Sequence, residues 1–316
     1  MAVVSPSQPQ AGPPYPPSRS RAEPAPEPPS GRGGGGRPDP WLAIPGAALT
    51  VLAALLLGFA ANLTVLGHIE HARAQQTGYD RLRAELALGT APVGPKDARG
   101  KEVRDGAPVA VLHIPAIGLR EVVFQGTTSG VLMSGPGHLR NTPMPGQAGT
   151  STIMGRQWGY GSPFNHLARL HAGDPITVTT GQGHARYKVT DVRRAGDPTP
   201  PQLTSGGGRL TLVTATGGLY TPHGVLRVDA DLVGTAQPAP ATGGAVSSAE
   251  LPLSGDPSAW LPVLLWLQAL LLATVVVSWA HRRWGSWQSW ITGVPVLTAL
   301  VIALSGAATE LLPNLL

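Results

Sequence analysis

Residues 111–155 read VLHIPAIGLREVVFQGTTSGVLMSGPGHLRNTPMPGQAGTSTIMG. Short apolar runs alternate with clusters of Gly, Pro, Asn and Thr, the pattern of short strands joined by tight turns. The same texture continues downstream. DPITVTT (174–180), ARYKVTDVRRA (185–195), RLTLVTA (209–215) and VLRVDADL (225–232) are rich in β-formers. Within them ITVTT and YKVTDV alternate apolar and polar with period two. SPFNHLARLHAGD (162–174) is predicted as a short helix, with Ser162 as cap, Pro163 in its first turn and Gly173 beyond its end. Residues 107–234 therefore predict a mainly β domain, a closed β-barrel of mixed topology with one or two short helices. That length can bury a core without covalent staples.

The flanks differ. Residues 1–40 are dominated by Pro, Gly and Ser and have little to bury, so they are expected to be a disordered cytoplasmic tail. Residues 41–67 carry no charge and are long enough to cross a bilayer as a first transmembrane helix, with Trp41 at its edge. Residues 68–106 are expected to form an extracytoplasmic stalk, helical in part, with Tyr79, Leu82 and Leu86 at helical spacing. After the barrel, 235–257 is a Pro/Ala/Gly/Ser linker. Two further uncharged stretches, 259–280 and 291–309, are predicted as the second and third transmembrane helices, joined by a loop over 281–290. Arg19, Arg21, Arg32 and Arg37 before the first span, and Arg282 and Arg283 in that loop, place both on the cytoplasmic side. The expectation is a multi-pass protein of the cell membrane with its barrel outside the cell.

The 316 residues carry a net charge of +5, yet only 13% are charged. The basic residues are scattered and no aromatic platform accompanies them, so a nucleic-acid partner is not expected. There is no cysteine, which excludes disulfides, thiolate metal sites and a thiol nucleophile in this chain. His113, His166 and His171 show no ligand spacing, and neither a metal nor any other cofactor is expected. Val192-Arg193-Arg194 reads as a solvated strand face.

In chain order, Ile114-Pro115, Ile117-Gly118-Leu119, Gly126-Thr127, Gly135-Pro136-Gly137-His138 and Pro145-Gly146 follow the motif series of the sortases. Pro163-Phe164, Leu167, Leu170, Gly173-Asp174 and Thr211-Leu212 continue it. The stretch 107–234 resembles that family, in particular its class E and D-like members from Gram-positive bacteria. The resemblance implies a sortase-like barrel at the cell surface, near the cell wall. It also implies cysteine transpeptidase chemistry, in which an LPxTG-like sorting signal is cleaved between Thr and Gly through an acyl-enzyme. The chemistry needs a thiolate, a histidine for the leaving-group proton and a cationic donor to the oxyanion. At the matching positions this chain has Ala215, Arg156 and Val225.

The resulting expectation is a protein that is not an enzyme, a pseudoenzyme of the sortase family. It would bind a sorting-signal-like peptide or another surface protein without transpeptidation. Arg227, two residues beyond Val225 and on the same strand face, is a substitute cation for the groove, and Thr214 and Thr216 flank Ala215 as further substrate-binding candidates. The alternatives are a hydrolase or transpeptidase with a Thr or Ser nucleophile, with His184 or His223 as base, and a membrane scaffold. His138 is expected to fix a loop. Leu251-Pro252-Leu253-Ser254-Gly255, ahead of an apolar span and the basic pair Arg282-Arg283, has the order of a sorting signal. It is read either as a substrate for an active sortase or as an occupant of this barrel's own groove.

Overall fold

Each β-rich run of the sequence becomes a strand, and eight of them close on one another. The computed structural model describes residues 12, 53, 55–218, 221–240, 245–284 and 286–316. The tail 1–40, apart from residue 12, and the first half of the expected first span lie outside the described residues. From residue 55 the chain is helical. It passes through one π-helical stretch, Asn62–Leu66, into α1 (Gly67–Ala87).

The strands are β1 (Pro108–Ile114), β2 (Leu119–Gln125), β3 (Gly137–His138), β4 (Gly149–Met154), β5 (Pro175–Thr180), β6 (Gly183–Arg193), β7 (Gly208–Gly218) and β8 (Thr221–Leu232). A short helix, α2 (Ser129–Ser134), lies between β2 and β3. The barrel order is β1-β2-β3-β4-β7-β8-β6-β5, closed by β5 against β1. β2 with β3 and β4 with β7 run parallel, and the other pairs are antiparallel. Closure leaves no free sheet edge. The interior is filled by Val109, Leu112, Ile153, Ile176, Val178, Leu210, Leu212 and Val228, all with no exposed surface.

Two expectations change on contact with the barrel. The segment 162–174 is not a helix; its only helical piece is a single 3₁₀ turn, Leu167–Arg169. Ser162 has φ 48°, outside helical space, and Phe164, Leu167 and Leu170 all insert into the core. An irregular segment can point all three inward, and their burial outweighs the few hydrogen bonds of a short helix. The expected stalk is instead part of the domain. Gln75 of α1 donates to the carbonyls of Val122 and Ser134 and accepts from the Val122 N–H, at 3.1, 3.0 and 2.6 Å. Gly78 lets the helix lie against the Phe124 ring, where a Cβ would stand 2.8 Å from it.

Two long helices, α3 (Trp260–Trp284) and α4 (Ser286–Glu310), follow the linker and pack on each other. Pro257–Ala280, which takes in the 3₁₀ turn ahead of α3, and Ile291–Glu310 are long and apolar enough to cross a membrane. A third such helix does not emerge among the described residues. After Glu310 the chain turns back onto the barrel.

Candidate ligand cleft on the outer face of the barrel

Alternation along β7 sorts its side chains between two environments. Leu210 and Leu212 point into the barrel core. Val213 and Ala215 point outward and join a second apolar cluster with Leu132, Met154 and Leu315. Ala215 is paired in register with Val225 of β8, which packs on the same cluster. The Gly155 N–H donates to Val213 O at 3.0 Å, so Arg156 leaves β4 directly beside this patch. Arg156 thus lies next to the Ala215–Val225 pair on the outer face of β4, β7 and β8, the candidate cleft.

The guanidinium of Arg156 is 1% exposed. It donates through Nη1 to Leu316 O at 2.9 Å and through Nη2 to Ser129 Oγ at 2.7 Å, and it lies over the Tyr160 ring, 5.2 Å from the centroid. Burial lowers its pKa to about 10, against a smaller opposing contribution from Tyr160, so it is a cation at neutral pH. Its Nε has no partner among the described residues. Beside it a cavity of about 290 Å³ is lined by Thr64 and His68 of the incoming helix, by Trp158 and Tyr160, and by Leu312 and Leu316.

The cleft is filled from two sides by the chain itself. Leu315 has no exposed surface and sits on Met154, Val213 and Ala215. Its carbonyl accepts from the Gln157 N–H at 2.9 Å. The Asn314 side chain donates to Thr127 O and Leu251 O at 2.9 and 3.0 Å, and its N–H donates to Ser254 O at 2.9 Å. The linker makes the other wall. Ser247 and Glu250 form a reciprocal capping box, Glu250 pairs with Arg140 at 3.0 Å, and Thr127 Oγ1 donates to Glu250 O at 2.8 Å. Leu253, with φ 64°, packs on the Ala215 cluster, so Leu251–Gly255 lies at the cleft.

The remaining sequence candidates are distributed more widely. Arg227 is half-buried on β8, opposite Val213 and Arg193, and makes no hydrogen bond or ion pair among the described residues. Thr214 turns away from the cleft, and its hydroxyl donates to Gly155 O at 2.8 Å. Thr216 is half-buried opposite Gly224 near the end of the hairpin. His184 bonds Thr179 on β5 and His223 is exposed on β8, and neither has a bond to Thr214 or Thr216. His138 is buried, with Nε2 at 3.0 Å from Pro143 O and Nδ1 at 3.1 Å from the Gln125 amide. Burial lowers its pKa to about 4 despite the Pro143 bond, which acts the other way, so the ring is neutral. Arg193 is not on a solvated face, because it pairs at 2.5 Å with Asp229, whose side chain is 1% exposed. Reading the sequence missed Ser129, Tyr160 and the whole segment 311–316. The Leu-Pro-Asn at 312–314 was the available signal, hidden behind an apolar helix.

Residues 112–228 match the family model of the sortase domain. Sortase SrtE1 of Streptomyces coelicolor is 31% identical over 163 residues, covering 46% of this chain and 44% of that protein. The chain therefore spans less than half the length of that curated relative. Among solved structures, a Clostridium perfringens Sortase D5 transpeptidase is 23% identical, with TM-score 0.42, over 51% of this chain and 99% of its own. Sortase E from Streptomyces avermitilis is 31% identical, with TM-score 0.35, over 42% and 91%. These matches correct one expectation. The reading of the chain as not an enzyme does not stand against a match to the sortase domain and a relative that is itself a sortase. That reading rested on three positions matched by sequence alone, and the identity of three side chains does not measure activity.

Proposed function

The barrel is a sortase domain, and from that premise we propose that the cleft between β4, β7 and β8 binds a sorting-signal-like peptide on the outer side of the cell membrane. One observation carries the reading: a peptide stretch already lies there, with an aliphatic side chain buried on Ala215 and its backbone held by Gln157 and Arg156. The site offers what an extended peptide needs. It has an apolar seat (Leu132, Met154, Val213), a backbone donor (Gln157 N–H) and a cationic donor to a carbonyl (Arg156).

Membrane attachment is supported by α3 and α4. Leu264, Leu265, Leu271, Leu272, Val275, Val276 and Trp279 are all exposed along α3, an apolar surface that water does not tolerate at this size. We place both helices in the bilayer with the 281–290 loop inside and the barrel outside, at the surface of a Gram-positive cell. The chain has no thiol, so a covalent acyl transfer there would use another nucleophile, such as a Thr or Ser hydroxyl.

The test is a photoreactive LPxTG-type pentapeptide, added in large excess to the full-length protein in detergent, with adducts mapped by mass spectrometry. Adducts on β4, β7 and β8 around residues 154–157, 213–215 and 225–227 are expected. Adducts scattered over the barrel, or none, would sink the reading. The same samples report turnover as cleaved or transferred peptide.

A further inference from the structure

We infer that Leu312–Leu316, the Leu-Pro-Asn-Leu-Leu stretch after α4, is a resident ligand of the cleft, and that an incoming peptide binds only by displacing it. The inference rests on the peptide-binding reading and names its competitor.

Three features separate this contact from incidental packing. First, the segment is built in: Asn314 has no exposed surface, Leu315 none and Leu316 only 6%, although no regular element includes them. Second, its bonds go to the positions that face a peptide in the cleft. Leu316 O takes Arg156, Leu315 O takes the Gln157 N–H, and Leu315 sits on Ala215. Third, the linker clamps it from outside. Asn314 N–H reaches Ser254 O, Asp256 N–H reaches Glu310 O at 2.9 Å, and a Cβ on Gly255 would collide with Leu311 O. Linker and segment flank the α3–α4 hairpin, so the hairpin holds both parts of the plug.

Ala215 and Leu315 belong to one buried apolar cluster, to which position 215 contributes only a methyl. A tethered ligand has an effective concentration on the order of millimolar. A free peptide of similar intrinsic affinity is therefore excluded at micromolar concentration. Weakening the tethered copy raises apparent affinity by the fraction of chains it frees.

The chain's lack of cysteine makes the test direct. The double variant Ala215→Cys with Leu315→Cys, full length and in native membranes, is treated with a short bis-maleimide. An intramolecular cross-link is expected in most molecules, and neither single variant gives one. In parallel, a fluorescent Leu-Pro-Asn-Leu-Leu peptide is titrated against the wild type, Leu315→Asp and Gly255→Val in detergent, with thermal melting to confirm that each is folded. Both variants are expected to bind at least tenfold more tightly than the wild type. Gly255→Val disturbs the linker where it meets Leu311 and leaves the side chains of β4, β7, β8 and Leu312–Leu316 as they are, so a tighter-binding Gly255→Val carries the comparison if Leu315→Asp does not fold. Equal binding by wild type and variants, or a missing cross-link, overturns the inference and leaves the peptide-binding function standing. No binding by any of the three overturns the peptide-binding function and the inference with it.

Discussion

A cation at position 156 is the residue on which the cleft turns. A guanidinium removed from water costs several kcal/mol unless its donors are met. Here the Leu316 and Ser129 oxygens and the Tyr160 ring face meet the Nη groups, Nε is left without a partner among the described residues, and no described acidic side chain pairs with it. A cation without an acidic partner is the charge state on which the proposed hold on a peptide's oxygen acceptors relies. His138 is the other decisive residue, buried on the far side of the β3 strand pair and neutral. Its pKa falls from 6.5 in the unfolded chain to about 4 in the fold, so between these values the unfolded state binds the extra proton. Its contribution to stability is complete above pH 6.5 and is lost as the pH falls towards 4, to an upper bound of about 3 kcal/mol. The melting temperature of the wild type should therefore drop more steeply over that window than that of His138→Gln. Parallel curves for the two proteins would refute it. His138 was legible in the sequence as a loop-fixing residue. The direction of Thr214 was not, because period two gives alternation but not which set faces inward.

At the scale of elements, strand runs were readable because burial on alternating faces writes a two-residue period into the sequence. DPITVTT and YKVTDV fall on β5 and β6, and RLTLVTA falls on β7. Short helices were less readable. In 162–174 helical spacing and cap residues were both present, yet Phe164, Leu167 and Leu170 are all drawn into the core, and that pull overrides local propensity. The docking of α1 was also invisible, since it depends on a polar residue. Gln75 meets the N–H and carbonyl of Val122 on β2 and the carbonyl of Ser134 at the end of α2. Gln75→Ala should cost about 2 kcal/mol, the penalty for backbone groups left unpaired. Thermal melting checks this, together with faster proteolysis between α1 and β1; an unchanged melt would mean that water replaces the amide freely.

For the whole molecule, charge and apolar length predict three spans with the barrel outside the cell; among the described residues two helices are long and apolar enough to cross a membrane, with exposed apolar side chains along them. The cysteine-free background allows this to be measured. Ser205→Cys in the loop before β7 should react with an impermeant maleimide on intact cells, and Ser286→Cys only after permeabilisation. The reverse order would invert the proposed orientation. The plug was not legible at this scale, because nothing in a linear reading says that a segment beyond two apolar helices returns to a strand end far upstream in the chain.

That return has a consequence for biosynthesis. The barrel is complete at Leu232, whereas the leucine that seats on it lies at 315. At translation speeds of about 5–20 residues per second, the ribosome needs several seconds to supply the intervening stretch. Every nascent copy therefore passes through an interval when its barrel is assembled and unstoppered. The apolar patch around Ala215 is thus bare in the nascent chain and covered in the finished one.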